Sequence, residues 1–240
     1  MKEQRKSWTS LIIAILPPLS SIPMTVVAYF AAFMGSYMLL GANEDLETDK
    51  MGVHAPLFLL IRNVLMLIAF SYWYYMQFLR RKDPDIFESI KGSIKAVKKP
   101  VFIIAIMAGA YVMQFIITHI LRLLTGLWPD FMASYNMNAG SLINGEVSIL
   151  TLLCVGLVAP AAEEILFRGL TQKYAERAIG ALPAIVFQAV LFGIYHMDIV
   201  QGLCALIFGL VFGYVAHKSK ALFPCILLHA LFNISAYLIP

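Results

Sequence analysis

Apolar runs long enough to cross a bilayer fill nearly all of this 240-residue chain. A helical crossing takes about 20 apolar residues. Lipid is the one solvent that tolerates so much apolar side chain on the outside of a fold. Composition agrees with that reading: 60% of the residues are hydrophobic and 13% charged, whereas a soluble domain carries about 25% charged residues. The mean hydropathy is +0.79. The expected fold is therefore all-α, a polytopic transmembrane helical bundle with no separate soluble domain.

Seven spans are expected. They lie within residues 11–40, 56–79 and 101–124, in a run that starts near Val147 and passes Ala162, and in residues 182–196, 200–217 and 221–239. Pro17, Pro18 and Pro23 point to an interfacial turn in the first part of span one. The basic start of the chain followed by a long apolar run reads as an uncleaved first span rather than a signal peptide. The last three spans are short, which implies tilt, a break, or shielding by other helices. Residues 83–100 read as an amphipathic helix on the cytoplasmic face of the membrane.

Charge gives an orientation. Lys2, Arg5 and Lys6 precede span one, while Glu44, Asp45, Glu47 and Asp49 follow it. Arg80, Arg81 and Lys82 follow span two, and residues 128–145 contain no Lys or Arg. Arg168, Lys173 and Arg177 follow the core of span four, and Lys218 and Lys220 follow span six. Basic and non-basic segments alternate, which places the N-terminus in the cytoplasm. The formal net charge of +4 thus reports topology, and no basic patch interleaved with aromatic residues suggests nucleic acid. Cys154, Cys204 and Cys225 each sit in an apolar run and form neither a disulfide framework nor a Cys-x-x-Cys pair.

Ionisable groups inside a span cost several kcal/mol and need a reason. Arg62, His119 and Arg122 lie toward span ends, where snorkelling to the interface accounts for them. The second half of the chain is different. Glu163 and Glu164 are adjacent in an apolar helix and point about 100° apart. Glu164 and Arg168 are four apart, on one face, in the favourable order for an ion pair. That leaves Glu163 facing elsewhere. His196 ends span five, and His229 and Asn233 stack four apart near the middle of span seven. Stacked polar groups there want a shared polar partner. If the fourth helix runs to about Ala178 and turns through residues 180–183, an antiparallel neighbour brings His196 to within about 5 Å of the height of Glu163. His229 reaches that height only if the helix and its turn project well past the membrane core.

The motifs Glu163-Glu164 with Arg168, Phe192 with His196, and His229 with Asn233 resemble the Glu-Glu-x-x-x-Arg, Phe-x-x-x-His and His-x-x-x-Asn set of the CPBP family. These are the CAAX-prenyl-protease and bacteriocin-processing membrane peptidases, also called the Abi family. The resemblance covers roughly residues 147–237, so residues 1–146 read as membrane spans with the amphipathic segment and residues 147–240 as the catalytic helices. It implies a membrane endopeptidase in which Glu163 and His196 activate water, His229 and Asn233 stabilise the oxyanion, and Glu164 and Arg168 hold the site. It implies a membrane-associated or lipidated peptide or protein as substrate.

Two chemistries stay open. A carboxylate and histidine can share the proton of the attacking water without a metal. Alternatively Glu163, His196 and His229 would make a two-His, one-carboxylate zinc site. Two rival classes also stand beside the peptidase: a non-catalytic scaffold or immunity protein of the same fold, and a small proton-coupled transporter component. The expected location is a cell membrane, multi-pass, of bacterial cytoplasmic type.

Overall fold

A computed structural model describes residues 8–40, 50–81, 84–133, 135 and 149–238. The described residues are helical and contain no strand. Helix α1 spans Trp8–Leu40, α2 Lys50–Tyr74 with a π-helical end at Tyr75–Leu79, α3 Pro84–Val97 and α4 Pro100–Leu127. Helix α5 is one rod from Ile149 to Ile179. It is followed by α6 (Ala181–Tyr195), α7 (Ile199–Ser219) and α8 (Phe223–Leu238). The acidic segment after α1 and the basic residues before it lie outside the described residues, as do 136–148.

Five helices, α1, α2, α4, α5 and α7, hold a stretch long and apolar enough to cross a membrane. Helices α6 and α8 are apolar but shorter, as their sequences suggest. The interfacial turn expected in α1 does not form. The helix continues through Pro17, Pro18 and Pro23, since lipid offers the backbone no competing partner. The hydroxyls of Ser20 and Ser21 donate to the carbonyls of Pro17 and Pro18 at 2.8 and 2.6 Å. Helix α3 does form between α2 and α4, and exposes Ile90 and Ile94.

Helix α5 is the axle of the bundle and packs against α1, α2, α6, α7 and α8. Its Leu166, Phe167 and Leu170 are fully buried, against a core that includes Phe70, Phe78, Phe192 and Phe212. Small residues let α6 and α7 approach closely. A Cβ on Gly209 would lie 2.7 Å from the Ala189 Cα, and one on Gly193 2.8 Å from the Gly202 carbonyl oxygen. Gln188 on α6 donates to the Gly209 carbonyl at 2.6 Å, and Gln172 on α5 to that of Gly213 at 3.0 Å. These bonds tie α5, α6 and α7 into one body. Gly180, at φ +82, allows the abrupt reversal from α5 into α6.

Candidate active site in the core of the bundle

Two π-helical stretches, Cys154–Val158 and Ile165–Gln172, flank the two glutamates. Such wide turns inside an α-helix frequently mark functional sites. Their local cause is visible at Pro160. The Ala159 N–H reaches back five residues to the Cys154 carbonyl. One step on, proline has no N–H to offer the carbonyl of Val155. Asn233 on α8 fills that gap, with Nδ2 3.0 Å from the Val155 oxygen. The amide thus has a structural task that sequence spacing did not show. Asn233→Leu is expected to destabilise the protein by about 1 kcal/mol, the cost of a half-buried carbonyl left without its donor. Adding Pro160→Ala restores an N–H, so the double variant should melt above Asn233→Leu alone. Purely additive melting temperatures would contradict this account.

The spacing of Glu164 and Arg168 predicts a pair, and the pair forms: Nη1 lies 3.1 Å from Oε1, with both side chains fully shielded. The same Oε1 lies 2.9 Å from Nδ1 of His229. The other face of that imidazole looks toward Glu163, with Nε2 3.8 Å from Oε2. Glu163, His229, Glu164 and Arg168 therefore form one continuous chain across α5 and α8. Counted formally, two carboxylates and one guanidinium leave a single negative charge beside the His229 imidazole. Pairing matters here, because Glu163 and His229 are 9% and 5% exposed and Glu164 not at all. The Arg168 guanidinium also lies over the rings of Phe192 and Phe212, 4.4 and 5.2 Å from their centroids.

Helix counting put His196 nearer than His229 to the height of Glu163, and the contacts differ. His229 is the one that meets the glutamates. The condition for it holds: His217 pairs with Glu176, and the Lys220–Leu222 turn lies beside Arg168 and Lys173. The tip of α5 thus projects past the α7–α8 turn. His196 sits at the end of α6, with Nδ1 2.8 Å from the Phe192 carbonyl. No ion pair or hydrogen bond joins it to Glu163 or His229 among the described residues. Its ring and that of His229 flank Phe192, with centroids 4.8 and 6.2 Å away.

Arg62 departs from the sequence reading. It does not snorkel to an interface but points inward, where its guanidinium donates to the Tyr195 hydroxyl. Tyr195 in turn lies within electrostatic reach of Glu163, and its ring is 5.7 Å from that of His196. The neighbouring Asn63 is 3% exposed and donates to the Cys154 sulfur at 3.7 Å. Two consecutive polar residues in an apolar helix were the available signal. The N-terminal half thus furnishes a wall of the site.

Zinc does not fit this arrangement as it stands. Among the described residues no three His, Cys, Asp or Glu side chains stand close enough to hold one ion. Glu163 and His229 approach each other, but His196 does not close the set.

All seven motif residues, from Glu163 to Asn233, fall within one stretch that matches a known family. Residues 145–235 match the Rce1-like model, described as type II CAAX prenyl endopeptidase Rce1-like. The match spans less than half of the chain, and α1 to α4 lie outside it. No curated protein and no solved structure matches. The Rce1-like segment supports a CAAX-type membrane endopeptidase in general terms. Together with the apolar helices it supports a multi-pass membrane protein with a peptide or protein substrate.

Proposed function

We propose that the chain is an intramembrane endopeptidase that hydrolyses a peptide bond of a membrane-associated, lipidated peptide, with Glu163 and His229 acting on the attacking water. The observation that carries this reading is the buried Glu163–His229–Glu164–Arg168 chain. A gap of 3.8 Å between Glu163 Oε2 and His229 Nε2 accommodates a water oxygen off their line, at about 2.8 Å from each. Glu164, bonded to Nδ1, fixes the imidazole and turns Nε2 toward that position.

In this mechanism the water oxygen attacks the scissile carbonyl carbon and its proton passes to Glu163. The carbonyl becomes a tetrahedral oxyanion. His196, across the Phe192 ring, is the donor available to it. Collapse breaks the C–N bond, and the proton held by Glu163 leaves with the amine. Asn233 keeps one of its two amide hydrogens on Val155, so it contributes mainly by fixing the backbone just ahead of the glutamates. Arg62 and Tyr195 hold the opposite wall.

We place the ends bearing Arg80, Arg81, Lys173, Arg177, Lys218 and Lys220 on the cytoplasmic side of a bacterial membrane, following the charge rule. The test is direct. Purified full-length protein in nanodiscs is incubated with an S-farnesylated peptide ending Cys-Val-Leu-Ser. Mass spectrometry is expected to find the free tripeptide accumulating with time. Full-length peptide after prolonged incubation, with unlipidated and acylated peptides equally untouched, would refute the proposal.

A further inference from the structure

Where the end of α2, helix α3 and the α7–α8 turn meet lies a cavity of about 630 Å³. Helix α3 supplies Ile90, Ser93, Ile94, Val97 and Lys98 to its wall, a spacing that puts all five on one helical face. An amphipathic helix at an interface buries such a face in apolar surroundings. Here Ile90 and Ile94 are 40% and 59% exposed, so the face borders the cavity instead of packing against the bundle. The opposite wall runs along α2 from Leu79 back to Ser71, a depth of about 12 Å.

Size and charge together define the ligand that fits. The volume is about four times that of a cavity that admits benzene, and the wall is mostly apolar, which suits a long acyl chain. The charged side chains among the described lining residues are Lys98 and Lys220, and none is a carboxylate. Lys98 belongs to the connection from α3 to α4 and Lys220 to the turn from α7 to α8. Charge therefore stands at the mouth, and the apolar wall runs inward. Basic pockets of this kind between transmembrane helices take anionic lipid head groups. A zwitterionic lipid would bring an ammonium group toward the same lysines. A free phosphate would leave the apolar wall uncovered. The prenyl chain of a substrate is the other apolar candidate, but none of Glu163, His196 and His229 lines this cavity.

We propose that the cavity binds one anionic phospholipid, with an acyl chain lying between α2 and α3 and the head-group phosphate between Lys98 and Lys220. The lipid then supplies the apolar contacts that Ile90 and Ile94 do not find in the bundle, and holds α3 in place. This site is independent of the endopeptidase reading.

The test uses full-length protein in detergent and native mass spectrometry, with dioleoyl phosphatidylglycerol and dioleoyl phosphatidylcholine competing at equal concentration. One lipid per chain is expected, with phosphatidylglycerol preferred about 25-fold, since each lysine near a lipid surface contributes about fivefold. Lys98→Gln and Lys220→Asn should each cut the preference to about fivefold. Asparagine tolerates the left-handed backbone, φ +54, that Lys220 adopts. Lys95→Gln, on α3 but outside the wall, should leave the preference unchanged. Ile94→Asn should weaken both lipids about tenfold and keep the preference, with the lipid-free melting temperature near that of wild type. Equal binding of the two lipids overturns the proposal. So does a loss from Lys95→Gln as large as that from Lys98→Gln, which would make the preference a general surface field. Displacement of phosphatidylglycerol by inorganic phosphate or by an S-farnesylated peptide at matching affinity would overturn it too, the second by making the cavity a substrate site.

Discussion

Replacing Glu163 by glutamine is expected to lower the rate of tripeptide release about 10³-fold, within the range that a positioned general base contributes. The substitution keeps the size of the side chain and removes its charge. Glu163 is only 9% exposed, so an amide fits its surroundings without opening a cavity. The structural chain below it, Glu164 with Arg168 and His229 Nδ1, is untouched by the change. Folded yield and melting temperature should therefore stay near those of wild type while turnover collapses. Glu163→Ala should match it in rate, since both lose the same proton acceptor. This pair of variants also separates the rival classes. A scaffold keeps its cellular phenotype in both variants. A proton-coupled transporter loses transport in both but releases no peptide even as wild type. A rate within about tenfold of wild type for Glu163→Gln would remove the residue from the base role.

The part of this site that sequence spacing reveals is the part that depends on a single helix. Glu164 and Arg168 face each other because four residues nearly complete a turn, and no neighbour is needed to know it. The same holds for α3, whose apolar residues fall on one face, and for the turn after α5, where glycine precedes a new apolar run. What stayed hidden depends on a partner. Asn233 shares a face with His229 on α8, but its acceptor is a carbonyl left bare by a proline 73 positions earlier. The missing N–H at Pro160 is legible, but the identity of the group that compensates for it is not. Arg62 looks like an interfacial residue on α2 alone and becomes an internal one only when Tyr195 on α6 is brought beside it. Counting residues from turns favoured His196 over His229 because it assumed that turns share one level. The α7–α8 turn instead lies beside the body of α5. The π-helical stretches around the glutamates also shift the faces of α5, and side-chain periodicity does not announce them. The prolines of α1 misled for a related reason: rules drawn from helices in water overstate the cost of proline where solvent cannot compete for the freed carbonyl.

The largest expected effect on folding falls at Arg168. Arg168→Leu leaves Glu164 as a buried charge with only His229 for company. Removing one partner of such a pair costs about 3–5 kcal/mol, a large fraction of the stability of an ordinary domain. Monodisperse protein in detergent should be scarce and should melt well below wild type. The loss comes from the orphaned carboxylate rather than from the missing arginine, and a second substitution separates these causes. In Glu164→Gln with Arg168→Leu no unpaired charge remains, and the guanidinium's place between Phe192 and Phe212 is taken by an apolar side chain. The double variant should recover most of the lost melting temperature. Its activity should not recover. His229 then has a weaker acceptor at Nδ1, and loss of such an orienting partner typically costs about 10- to 100-fold. Stability that returns without turnover is the signature of a charge pair whose role is to aim an imidazole. If Arg168→Leu instead proved as stable as wild type, Arg168 would not be what offsets the buried Glu164 carboxylate, and this account of the pair would be wrong.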